Sequence, residues 1–281
     1  MSVQGQERSA AGKARSEGGD VLVQLARVGL LAYGAMHVLV AWLALQLAWG
    51  GGGGETDQSG AFATLARNGV GRFLLWVIGL GLVALAVWQA AEVLRWRSGW
   101  SASGKERTKA VRKSVKAVAK ALVYATLAVL AVRYAVGSGR SSAQSQQQHT
   151  AGVFGWPGGR FLVAVVGVVV IAVGVQQVVS GVTGRFKKQV DLAAAPPRTE
   201  KMITRLGQVG FPAKGVALVL AGGLLGWAAI TYDPKKASGL DGALHTVLAA
   251  PGGRVLLTLV ALGIAAFGAF SIARAKYPER T

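Results

Sequence analysis

The stretch PGGRFLVAVVGVVVIAVGVQQVVSGVTG, residues 157–184, decides the fold. From Phe161 to Gly184 it carries no charge, and that length lets a helix cross a hydrocarbon layer about 30 Å thick. Nearly every position is apolar, so neither the one-sided pattern of a soluble helix nor strand alternation is present. The Gly159-Arg160 pair at its start recurs as Gly71-Arg72 and Gly253-Arg254, each after a short polar loop and each before another apolar run. Two copies read Pro-Gly-Gly-Arg, Pro157 to Arg160 and Pro251 to Arg254.

Working outward, the composition agrees. Of 281 residues 52% are hydrophobic and 15% charged, whereas a soluble domain carries about 25% charged residues. The apolar residues come in blocks, which fits a multi-span membrane protein. The net charge of +19 would suggest nucleic acid in a soluble chain. Here the basic residues lie between the apolar blocks, so they are read as topology signals and no nucleic-acid partner is expected. Cysteine is absent, which excludes disulfides, thiolate metal sites and cysteine nucleophiles.

Six spans are expected, at about 28–49, 73–94, around the uncharged 121–132, 161–184, 209–232 and 255–273. The third is the weakest, because Lys116 and Lys120 must snorkel toward headgroups. Pro212 is expected in the first turn of the fifth, where proline is tolerated. Residues 1–20 are rich in Gly, Ser and charge and are expected to be disordered, and residues 50–54, all glycine, to be a flexible linker. Residues 95–120 hold nine Lys or Arg against one Glu, and 185–214 hold seven against two acids. The alternate loops are poorer in base, so the positive-inside rule puts the rich loops and both termini in the cytoplasm. The expected location is a bacterial plasma membrane, with the lipid bilayer as partner and anionic lipid at the basic loops.

The Gly-Arg pairs mark an internal repeat. Gly60-Ala61 matches Gly242-Ala243, Val28-Gly29 matches Val209-Gly210, and Tyr33-Gly34 corresponds to Lys120-Ala121 and Lys214-Gly215. The fold class is therefore all-α: three tandem helical hairpins about a pseudo-threefold axis along the membrane normal. The units divide at 21–100, 101–190 and 191–281, after the N-terminal segment 1–20. Seven residues after each arginine stands a small residue (Gly79, Gly167, Ala261), and seven further on another (Ala86, Gly174, Gly268). Two helical turns separate them, so they form a stripe suited to close helix packing; Gly181 extends it, and Gly222 and Gly226 form a GxxxG.

Candidate functional residues are few. Gln89, Gln177 and Ser271 occupy equivalent positions seventeen residues after the arginines, and Lys120 and Lys214 come from the preceding helices at similar depth. They form a possible polar layer at the cytoplasmic mouth. Arg72, Arg160 and Arg254 are expected to anchor helix starts at the outer headgroups. Short amphipathic helices near 59–68 and 240–248 are expected at the outer interface, with Asp57 or Ser59 and Asp241 as N-caps. His37 lies mid-span and is expected to bond across helices, and Glu92 to pair with Arg95. His149 and His245 have no ligand spacing, so no metal and no cofactor is expected.

Ala26-Arg27-x-Gly29, the glycine run with Glu55 and Asp57, Gly60-Ala61, Leu65 and Gly71-Arg72 together resemble a family of actinobacterial membrane proteins. That family is catalogued as domain-of-unknown-function family 1206. The resemblance implies three tandem two-helix units filling nearly the whole chain, and no assigned chemistry. Unit two departs from the pattern by lacking the acidic loop and carrying Gln146 to Gln148 instead. The reading favours a membrane scaffold or interaction protein. A small transporter or channel with a central polar pathway is the alternative, and a membrane enzyme comes third, since no catalytic set stands at useful spacing.

Overall fold

The computed structural model describes residues 3–50 and 54–277, with side chains described almost throughout from Arg27 onward. These residues form nine α-helices and no strand. Three units follow one pattern of long helix, short helix, long helix. Unit one holds α1 (Val3–Ala48), α2 (Gln58–Ala66) and α3 (Gly69–Trp96); unit two holds α4 (Gly104–Ala135), α5 (Ser142–Phe154) and α6 (Gly159–Val182). Unit three holds α7 (Pro197–Thr231), α8 (Gly239–Ala249) and α9 (Gly253–Lys276). Six of them are long and apolar enough to cross a membrane: α1 from Arg27, α3 with the 3-10 turn after it, α4, α6, α7 and α9.

Two boundaries differ from the expectation. Helix α1 starts at Val3, so the segment expected to be disordered is helical there; its Ala, Gln, Glu, Lys and Arg favour helix and no proline interrupts it. Helix α7 starts at Pro197, which places Pro212 inside the helix instead of in its first turn. An internal proline loses one backbone bond and crowds the preceding turn, and Gly181 of α6 leaves room for its ring: a Cβ there would sit 2.3 Å from Pro212 Cδ. Gly51 to Gly53, the middle of the glycine run, lie outside the described residues.

The Gly-Arg junctions have one physical cause. Each short helix ends against the start of the following long one, and its carbonyl occupies the space of a side chain. A Cβ would lie 1.9 Å from Leu65 O at Gly71, 1.7 Å from Val153 O at Gly159 and 2.0 Å from Leu248 O at Gly253. Only glycine fits such a backbone approach. Units two and three turn into the helix through left-handed Gly158 and Gly252 (φ 78° and 70°). Unit one uses the Asn68 side chain instead, which accepts from the Gly71 N–H at 2.7 Å.

The hairpins of the repeat are not the tightest pairs. The broad interfaces are α3 on α4, α6 on α7 and α9 on α1, each joining the second long helix of one unit to the first of the next. Together with the α1–α3 and α7–α9 contacts they set the helices in the order α4, α3, α1, α9, α7, α6, which is left open between α4 and α6. The small-residue stripe lines these seams. A Cβ at Gly174 would lie 2.7 Å from Gly215 O, one at Gly268 2.8 Å from Gly34 O, and Gly79 faces Ala131 of α4. Backbones approach this closely only where side chains are missing.

Within units, α1 packs on α3 and α7 on α9, while no comparable interface joins α4 to α6. The closed hairpins meet glycine on glycine or alanine: Gly81 has Gly29 Cα 3.3 Å from its Cβ position, and Gly263 has Ala213 Cβ at 2.1 Å. The equivalent positions in unit two are Lys116 and Val169, both exposed. Their bulk and charge hold the hairpin apart. Only 22% of the apolar window of α4 and 17% of that of α6 is buried, against 44% in α3 and α9.

Candidate functional site

Three features stand out: a ring of caps at one end, an aromatic hub between the long helices, and the unit-two cleft. The caps are α2, α5 and α8. Asp57 starts α2 by accepting from the Ser59 and Gly60 N–H groups. Glu55 accepts from the hydroxyls of Ser59 and Ser141, and the Ser142 N–H donates to Ser59 Oγ at 3.2 Å, which ties α5 to α2. The Thr56 N–H donates to Asp241 Oδ1 at 2.7 Å, which ties α2 to α8. Gln147 Nε2 donates to Lys235 O at 3.2 Å, which ties α5 to the loop before α8. Asp241 was expected as an N-cap; α8 begins after Ser238 instead, and Asp241 serves its neighbour. Burial pushes the Asp57 carboxyl above its ordinary value, opposed by the Ser59 hydroxyl and the Gly60 and Ser59 N–H groups.

At the hub, α1 supplies Tyr33 and His37, α4 Tyr124, α7 Lys214 and α9 Phe267. Lys214 Nζ donates to Tyr33 Oη at 2.5 Å and sits 4.0 Å from the Phe267 ring centroid, an amine held by a hydroxyl and an aromatic face. Tyr33 and Tyr124 meet edge to face at 5.6 Å. His37 Nδ1 donates to Tyr33 O at 2.8 Å, within its own helix and not across helices as expected. The hub is rich in donors and its rings fill the space between helices.

Of the five residues expected in a polar layer, the structure brings Lys214 to the hub beside Tyr33. Ser271 is buried but its hydroxyl bonds its own helix, to Phe267 O at 2.9 Å. Gln89 and Gln177 are half-buried and Lys120 is exposed. The layer is therefore replaced by a cluster in which aromatic rings take the place of amides. Tyr124 and Phe267 were missed. The repeat position of Tyr33 pointed to this depth, but apolar rings carry no polar signature in the sequence. Among the described residues no group of three metal-capable side chains gathers.

The three arginines divide. Arg72 Nε donates to Ala66 O at 3.1 Å and caps α2. Arg160 donates to Ala229 O at 2.6 Å and Ile230 O at 3.0 Å, capping α7 of the next unit. Arg254 is exposed and lines a recess between the ends of α1 and α9. At the opposite end Arg95 pairs with Glu92 at 3.2 Å as expected, and Lys113 lies 3.8 Å over the Trp96 ring.

The cleft between α4 and α6, roofed by α5, holds a cavity of about 490 Å³. Its upper wall carries Arg133, Ser145 and His149, and its lower part Leu130, Leu162 and Val166.

A family model described as Domain of Unknown Function (DUF1206) matches residues 28–95, 115–184 and 209–278. The chain is 29% identical over 255 residues to the uncharacterized protein YxxB of Bacillus subtilis (strain 168), covering 91% of this chain and 90% of the relative. No solved structure matches the chain.

Proposed function

The chain belongs to the DUF1206 family, and from that premise we propose that it is a six-span scaffold or interaction protein of a bacterial plasma membrane, with both termini in the cytoplasm. The carrying observation is the dry construction of the helix bundle: glycine and alanine seams join the units, and Tyr33, His37, Tyr124 and Phe267 fill the hub around Lys214. A transport pathway needs a hydrated route lined by polar groups, whereas here backbones touch and rings pack. The exterior supports the membrane setting. Phe161, Leu80, Leu122, Val168 and Leu259 all point outward at 60% exposure or more, and contiguous apolar surface of that kind is foreign to a soluble monomer.

The basic loops lie at the end away from the caps and serve as the docking face. On α4, Lys109, Arg112, Lys113 and Lys116 recur at helical spacing, a cationic face suited to anionic lipid or an acidic protein segment. The reading assigns no catalytic residue and no cofactor. Its test combines two measurements on the full chain. Reconstituted vesicles should show proton, potassium and chloride permeability equal to protein-free vesicles, while photo-crosslinkers at exposed Arg107 and Lys109 should trap discrete protein adducts in cells. Flux above background that Lys214→Met abolishes, with no adducts, would contradict it and favour transport.

A further inference from the structure

We propose that the cleft between α4 and α6 binds one acyl chain of an anionic phospholipid, with its phosphate at Arg133 and His149. Three independent observations converge on it. First, the cleft exists because unit two breaks the rule that closes the other two hairpins. Lys116 stands where units one and three have Gly29 and Gly210, and Val169 where they have Gly81 and Gly263, each of which packs within a closed hairpin, so a space that the repeat would fill is left open.

Second, the cavity is amphipathic along the helix axis. Arg133, Ser142, Ser145, Gln146 and His149 stand near the caps, and Val129, Leu130, Leu162, Val163 and Val166 lie below them. Thr126 marks the floor, seven residues and about 10 Å along α4 from Arg133. A headgroup above and a hydrocarbon chain below match this division.

Third, the polar end is basic and without an acidic neighbour in ion-pair contact. Neither Arg133 nor His149 forms an ion pair with a carboxylate among the described residues, and both are exposed. A phosphate there would gain charge-assisted hydrogen bonds from the guanidinium fork.

Size selects the occupant. A volume of about 490 Å³ suits a small molecule or a single chain, and does not admit a partner helix about 10 Å across. The roof is already fixed, since α5 bonds to Ser59 and Lys235 and Tyr232 Oη donates to Phe154 O at 2.9 Å. This site lies at the end of α4 opposite the basic face, so the two are separable by mutation.

Native mass spectrometry of the full-length protein, with vesicle lipids phosphatidylglycerol and phosphatidylcholine at equal amounts, tests the proposal. The parent should retain phosphatidylglycerol with about fivefold preference, given the arginine at the headgroup. Arg133→Gln combined with His149→Gln should remove the preference, and Val166→Trp should remove retention by filling the floor. Arg67→Gln, an exposed charge of unit one outside both the cleft and the basic loops, should change neither. Equal retention of both lipids by the parent overturns the proposal, as does a preference that survives the Arg133 and His149 changes. Dimers cross-linked through Val166→Cys would assign the cleft to a second copy and overturn it too.

Discussion

At the residue scale, glycine does two separate jobs, and a side chain added at each would meet different atoms. Gly71, Gly159 and Gly253 admit a carbonyl at a turn, while Gly34, Gly167, Gly174, Gly215 and Gly268 admit another helix. The seven-residue stripe showed in the sequence because small residues recurred on one face, but its partners did not, since apolar helices give no sign of which neighbour they face. Gly174→Leu should therefore destabilise the protein in detergent by about 3 kcal/mol or more, because its Cβ would already lie 2.7 Å from Gly215 O. Gly223→Leu, on the same seam partner α7 but with nothing within 4 Å of its Cβ position, should melt within a degree or two of the parent. Equal melting of both variants would mean that the α6–α7 seam is not packed as described.

At the scale of elements, two of the three cap helices, α2 and α8, were legible as short amphipathic segments, while α5 and the bonding among the three were not. Asp57 acts locally as an N-cap, which its position before α2 already suggested. Asp241 reaches the backbone of unit one across 185 residues of chain, a link no local pattern encodes. Pro212 was misplaced for a related reason: the start of an apolar run marks where hydrocarbon begins, not where the helix begins, and α7 continues through its basic turns to Pro197.

Asp57 also gives a pH test. Burial raises its pKa in the fold, so the folded state binds its proton more readily than the unfolded chain. This group's contribution is fully present below the ordinary carboxylate range and is lost as pH rises through the raised folded value. Asp57→Asn keeps an acceptor for the Ser59 and Gly60 N–H groups and should match or exceed the parent's melting temperature at pH 7. Asp57→Ala should lose about 1 kcal/mol. As pH falls toward 4, the parent should gain on Asp57→Asn; a parent that loses ground on acidification would refute the assignment.

At the scale of the whole molecule, the number of long apolar helices, the threefold repeat and the separation of basic loops from caps all follow from the sequence, because each is a matter of where charge interrupts apolar runs. The assembly order does not. The hairpin suggested by adjacency in the chain is the looser contact, and the tight pairs run between units. Lys116 stands in the sequence where its siblings have glycine, yet the consequence, an open second unit, appears only once Gly81 and Gly263 are seen touching their partners. Orientation has its own test in a chain without native cysteine. Cysteines at exposed Ser103 and Ala194 should resist an impermeant thiol reagent in intact cells, and one at exposed Gln148 should react; the reverse pattern would invert the proposed topology.

The helix order itself, with tight seams between units and a splayed unit two, is tested most directly by paired cysteines. Ala131 Cβ lies 3.7 Å from the Cβ position of Gly79, within the range of a disulfide. Gly79→Cys with Ala131→Cys should therefore oxidise to an intramolecular disulfide in membranes, bridging units one and two, while Lys116→Cys with Val169→Cys inside unit two should remain reduced. Ready oxidation of the 116–169 pair with no bridge between 79 and 131 would contradict the account.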